Sequence, residues 1–119
     1  QTAKNLEKEI KENSTVFEST WGKGMGLETI NDDVIKIAQK MGFAVVVRKD
    51  PRKGYVRIKA SPASSADLTN TYEQLKKMDP DATWFLHVSK KMLLNGTPKN
   101  PKMKPTKLRL DAIINVLKK

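Results

Sequence analysis

FAVVVRKDPRKGYVRIKA, residues 43–60, decides how this chain folds. Phe43–Val47 is an apolar, β-branched run that changes character only at Arg48 and Lys49. A strand apolar on both faces belongs in the middle of a covered sheet. Tyr55–Ala60 alternates instead: Val56, Ile58 and Ala60 share one face, and Tyr55, Arg57 and Lys59 share the other. Between the two runs, Asp50-Pro51-Arg52-Lys53-Gly54 combines a fixed φ at proline with a glycine free to take positive φ. The stretch therefore predicts a β-hairpin with one central strand and one strand that carries a basic, aromatic face.

Upstream, Ile30, Val34, Ile37, Ala38 and Met41 recur at helical spacing, which predicts a helix over Thr29–Met41. Asn31 can cap it, Asp32 and Asp33 suit the positive end of its dipole, and Gly42 ends it. Before it, WGKGMG (21–26) reads as a glycine-rich connector and STVFEST (14–20) as a short strand. Thr2–Asn13 reads as a thin amphipathic helix, Ala3, Leu6 and Ile10 forming its stripe.

Downstream, Asp67 opens a helix with Leu68, Tyr72 and Leu75 inward, which Asp79-Pro80 ends. Thr83–Val88 reads as a short buried strand that Lys91–Leu94 continues after a bulge, up to Asn95-Gly96. Thr97–Lys107 is an irregular Pro/Lys stretch, and Leu110–Lys118 a final helix. The expected fold is α+β (or α/β): a small mixed sheet with a hairpin, covered by about four helices. Residues 1–13 are expected as a leader or linker helix and 14–119 as one domain. The chain opens on Gln1 rather than Met, so the expectation is a processed chain or a piece of a longer protein.

The 119 residues contain no cysteine, which excludes disulfides, thiolate metal sites and thiol catalysis. No apolar run reaches the ~18 residues of a membrane helix, and no secretory h-region is visible. A cytoplasmic protein without membrane contact is expected. The net charge of +10 is unevenly spread. Residues 1–42 net −1 and 61–88 net −2, whereas 43–60 net +5 and 89–119 net +8. Two basic segments between near-neutral ones are the footprint of a polyanionic partner; a lysine-rich surface that merely aids solubility is the alternative.

Candidate chemistry is sparse. His87 is the only histidine, with Ser89 two residues on and no third member for a triad, and no G-x-S-x-G is present. Asp32 and Asp33 diverge on a helix, and Asp79 and Asp81 flank a proline, so neither pair reads as a metal site. Tyr55, Arg57 and Lys59 on one strand face, extended by Arg52 and Lys53 in the turn, are the types that hold a sugar-phosphate backbone and stack a base. Lys99, Lys102, Lys104 and Lys107 would add salt-sensitive affinity. WGKGMG could cradle a phosphate with Lys23, although its spacing fits no phosphate-loop pattern and a plain turn reads better. His87, Ser89, Lys91 and Asn95 fall at or beyond a strand end, where ligands gather; a purely structural histidine is the alternative.

YVRIKASP (55–62), followed one helix later by TWFLHVSKKMLLNG (83–96), resembles the C-terminal part of DHH-type phosphoesterases and related predicted hydrolases. Phe85-Leu86-His87-Val88-Ser89 is similar to their Phe-Val-His-x-Ser-Gly pattern, and the likeness spans roughly residues 43–97. Two departures stand out. Trp84, Phe85 and Leu86 replace the glycines before the histidine, and Lys59 stands where an Arg-x-Ser pattern has serine, with Ser61 two residues on. The resemblance implies a substrate-binding domain, not catalytic alone, for a nucleotide, a phosphate or a short single-stranded nucleic acid. Arg57 and His87 would be its contacts, with Lys59, Lys91, Ser61 and Ser89 around them. Manganese would belong to a missing N-terminal domain, and no cofactor to this chain. A stand-alone basic nucleic-acid-binding module and an interaction or oligomerisation domain, such as a homodimer, stay open beside it.

Overall fold

The computed structural model describes residues 8, 12, 14–29, 33–50, 54–61, 64–95, 106 and 108–118. Arg52 and Lys53 of the expected turn, Lys99, Lys102, Lys104 and Lys107, and the leader helix apart from Lys8 and Glu12 lie outside the described residues. The elements in chain order are β1 (Thr15–Ser19), β2 (Gly22–Glu28), α1 (Asp33–Lys40), β3 (Val45–Lys49), β4 (Val56–Ala60), α2 (Thr69–Met78), β5 (Phe85–Leu86), β6 (Met92–Asn95) and α3 (Leu110–Leu117). The class is α+β. Three helices are described, against about four expected. No helix among the described residues is long and apolar enough to cross a membrane.

The six strands form one mixed sheet in the order β1-β2-β3-β4-β6-β5. Only β2 and β3 are parallel, joined through α1; every other pair is antiparallel. The hairpin of residues 43–60 is present as β3 and β4. Val45–Arg48 is buried throughout, and β4 alternates as its sequence does, with Val56, Ile58 and Ala60 buried between half-exposed Arg57 and Lys59.

Helices α2 and α3 lie on one sheet face. Their Leu75, Ile113, Ile114 and Leu117 pack with Phe17, Val45, Val47, Val56, Ile58, Trp84 and Leu93 in the larger core. Helix α1 lies on the other, where Val34, Ile35 and Ala38 cover Met25, Leu27 and Val46. Each of these aliphatic side chains contributes about 1.5–3 kcal/mol on full burial. Among the described residues, nothing in the smaller core comes from β4, β5 or β6; α1 packs on the β2–β3 half of its face and touches β4 through Gln39 Nε2, which donates to Ala60 O at 3.4 Å.

Two expectations are corrected. WGKGMG is not a connector but the start of β2. Its glycines are there for room: a Cβ on Gly24 would stand 2.5 Å from the Phe17 ring and 2.8 Å from Val45, and one on Gly26 would stand 2.6 Å from Ile114 of α3. Its amides serve the ladder to β1 and β3, so the phosphate cradle is not formed. The second correction is at residues 83–95. The chain does not run on through a bulge; it reverses. β5 and β6 are antiparallel, Phe85 opposite Leu94 and Leu86 opposite Leu93, and His87 N–H donates to Met92 O at 2.9 Å. Lys90, a non-glycine residue at φ +61°, makes the turn.

A buried polar node ties the second half of the chain together. Asn95 Oδ1 accepts from Thr106 N at 2.5 Å, and Asn95 Nδ2 donates to Thr83 O at 2.8 Å. Thr106 Oγ1 donates to Asp79 Oδ2 at 2.7 Å and accepts from Leu108 N at 3.1 Å. Asp67, one residue before the α2 N-cap, accepts from the Thr69 hydroxyl and, at 2.9 Å, the Thr69 amide. These bonds hold its carboxyl below the ordinary value of 3.8, the hydroxyl being the larger cause. That support is complete above 3.8 and is lost as the pH falls through the lowered value.

Gly26→Val is expected to lower stability by about 1–3 kcal/mol or more through overpacking against α3. Thr106→Val, which strips a donor from a buried carboxylate, should cost about 1–3 kcal/mol. Urea unfolding followed by circular dichroism measures both.

Candidate functional site

The strand register brings the sequence-predicted residues together on the half of the sheet face that lies outside the core beneath α1. One cross-strand row runs Arg48–Arg57–Leu94–Phe85, and the next runs Val46–Lys59–Met92 and on to His87, which pairs with Met92 through its amide. Adjacent strands are about 4.8 Å apart, so Arg57 to Phe85 and Lys59 to His87 each span about 10 Å. Tyr55 lies one residue ahead of β4, half-buried, where its carbonyl accepts from Asp50 N at 2.8 Å. Along this face the strands thus offer two cations on β4, two aliphatic side chains on β6, and two rings on β5 and its end.

Phe85 is 49% exposed, unusual for a phenylalanine on a strand. The His87 ring stands beside it, centroids 6.5 Å apart and planes at 84°. His87 is held from below by the turn. Its Nδ1 accepts from Ser89 N–H at 3.1 Å and lies 2.9 Å from Ser89 Oγ, which in turn accepts from Lys91 N–H at 3.2 Å. A ring nitrogen that accepts a backbone N–H carries no proton of its own, so the neutral ring carries its hydrogen on Nε2, the remaining ring nitrogen.

The other predicted residues are spent on local structure. Lys91 Nζ donates to Ser64 O at 2.7 Å and Ala66 O at 2.6 Å, a clamp on the loop that precedes α2. Ser61 belongs to the same loop: its amide donates to Ala44 O, and its carbonyl accepts from the Ser64 hydroxyl and amide. Ser89 positions His87. Arg57, Lys59 and His87 therefore share the open face, while Lys91, Ser61 and Ser89 support its edge.

Reading the sequence missed Phe85, Met92 and Leu94 as members of this face. The signal was present in TWFLHV, whose period of two sends Trp84 and Leu86 to the core and Phe85 and His87 to the opposite side. Arg48, at the inner end of the Phe85 row, is buried with its guanidinium 4.0 Å from Asp50. An open cleft at the start of α3 is lined by Glu28, Lys49, Arg109, Leu110 and Asp111. Its charges are of both signs, and Lys49 Nζ is bonded to Leu108 O, so it offers no net field to an anion. Among the described residues no group of three His, Cys, Asp or Glu could hold a metal ion.

The ring geometry carries a direct test. In its neutral form His87 should show the Nε2–H tautomer in long-range ¹H–¹⁵N spectra, and Ser89→Ala, which keeps the backbone N–H that Nδ1 accepts, should leave it dominant; a dominant Nδ1–H signal in the parent protein would contradict the assignment. Lys91→Met should lower stability by about 1–3 kcal/mol, as loss of a charged donor to two carbonyls does, and should leave the His87 tautomer in place.

No protein-family model matches this chain, and neither a curated protein nor a solved structure does.

Proposed function

We propose that this domain binds a nucleotide or a short single-stranded nucleic acid across the open face of β4, β6 and β5, and is not catalytic by itself. One observation carries the reading: Arg57 and Lys59 stand in register with Phe85 and His87 on the half of a sheet face that lies outside the core beneath α1. Stacking on an aromatic strand residue together with charge-assisted contacts from basic neighbours is how sheet surfaces hold unpaired nucleotides. Arg57 and Lys59 would take the phosphates, Phe85 a base, and Leu94 and Met92 the apolar sides of sugar and base. Tyr55, one residue ahead of β4, extends the face. The net charge of +10 adds long-range attraction.

The same residues bear on the likeness to DHH-type phosphoesterases. That resemblance implies Arg57 and His87 as substrate contacts, and the reading here uses both. In it the domain delivers a phosphorylated substrate to a neighbouring domain in which a manganese site would do the hydrolysis, within a cytoplasmic protein. An interaction or homodimer domain is the reading that survives if the face binds no nucleotide.

Fluorescence anisotropy with labelled single-stranded RNA and DNA oligonucleotides, titrated with salt, tests the proposal. Binding is expected to persist at physiological salt. Arg57→Ala should weaken it by about 1–3 kcal/mol and reduce the salt slope by about one. Phe85→Ala should weaken it by about 1–3 kcal/mol at an unchanged slope. Equal affinities for the parent and both variants would remove the open face as the site.

A further inference from the structure

Resting on that binding role, we propose that the face recognises an unpaired base and not merely a phosphate chain: Phe85 supplies the stacking plane and His87, locked by Ser89 as a neutral Nε2–H donor, hydrogen-bonds the edge of the stacked base. Three observations support this division of labour. Phe85 has the most exposed aromatic ring on the sheet, and His87 shares its face. The two rings are nearly perpendicular, at 84°, so a base stacked on Phe85 cannot also stack on His87. What the imidazole can offer such a base is a donor in or near the base plane. The Ser89 amide and hydroxyl occupy Nδ1, which leaves that donor on Nε2.

The chemistry of the two sides then differs in kind. Arg57 and Lys59, about 10 Å away across β6, carry full charge, and the phosphates belong there. His87 in this tautomer is an uncharged donor whose ring is held by a backbone amide, suited to the carbonyl oxygens and ring nitrogens on a base edge. Such acceptors are exposed when the base is unpaired, so the ligand class is a base-bearing single strand or a free nucleotide. Ser89 acts through His87 and is a positioning residue.

The test uses the full 119-residue chain and two labelled probes of equal length and charge: a mixed-base single-stranded DNA hexamer and the same hexamer with all its bases removed to give abasic sites. The base-bearing strand should bind roughly 10-fold or more tightly, as loss of one or two stacked bases predicts. His87→Ala should lower affinity for it about 3- to 10-fold, the loss of a neutral hydrogen bond, with the salt slope unchanged. Ser89→Ala, which keeps the backbone N–H that holds Nδ1, should retain both the Nε2–H tautomer and the affinity; an Nδ1–H tautomer with unchanged affinity for the base-bearing strand would overturn the role of Nε2–H. Equal affinity for the two strands overturns base recognition while leaving the phosphate-binding role intact. Binding of neither strand at physiological salt overturns that role itself. A reduced salt slope in His87→Ala would make His87 a charged phosphate contact and refute its assignment as a neutral donor.

Discussion

The buried junction of Asn95, Thr106 and Asp79 determines where the last third of the chain can go. Asn95 is fully buried at the end of β6, and its two amide ends bond in opposite directions, to Thr83 before β5 and to Thr106 before α3. Thr106 passes the connection to Asp79 at the end of α2. A buried carboxylate and a buried amide are tolerated only when hydrogen-bonded, and separating one member removes a bond that the others make in low dielectric. The junction therefore locks α2, the β5–β6 hairpin and the approach to α3 as one unit, and it places α3 on the same side of the sheet as α2.

That placement has a packing requirement and a functional consequence. Two helices on one face need β2 to come close to Ile114 of α3 and to the Phe17 ring of β1, which the missing side chains of Gly26 and Gly24 allow. With α2 and α3 committed to this face, the eight residues of α1 pack on β2 and β3 on the opposite one, and Gln39 reaches β4 through a bond to Ala60 O at 3.4 Å. Among the described residues, none of β4, β6 or β5 belongs to the core beneath α1. Apolar Leu94, Met92 and Phe85 remain on that half of the face beside Arg57 and Lys59, a mixture too basic for an ordinary core face and too aromatic for an ordinary solvated one. The same arrangement that stabilises the fold exposes the surface on which its binding role is argued.

How legible this was depended on how local each signal is. The β3–β4 hairpin could be read because alternation and turn chemistry act within a few residues, and Arg57 and Lys59 were found with it. The inward stripe of α3 was read for the same reason; that of α1 was read only in part, since Ile35 is buried without having been expected and Met41 is exposed, and in α2 Leu75 is buried while Tyr72 is only partly so. β2 was not, because glycine carries no strand propensity: Gly24 and Gly26 are in a strand owing to what packs on them from Phe17 and Ile114, which lie 7 and 88 positions away in the chain. The β5–β6 reversal was hidden because its turn, Val88-Ser89-Lys90-Lys91, has no glycine, proline or asparagine, and the left-handed residue is a lysine. Half of the open face, Phe85, Met92 and Leu94, was consequently invisible even though His87 had been singled out.

Neighbouring residues and their periodicity account for the expected α+β (or α/β) class, the central hydrophobic strand, the basic face of β4 and the uneven distribution of positive charge, each a local property of the chain. Local pattern does not reveal that Arg57, Lys59, Phe85 and His87 lie in two adjacent rows, that Lys91 Nζ bonds Ser64 O and Ala66 O, or that His87 Nδ1 accepts from the Ser89 amide. Those outcomes depend on strand register and on which face each helix occupies. Both are set by long-range packing and by one buried hydrogen-bonded junction whose members lie 11 to 27 residues apart in the chain.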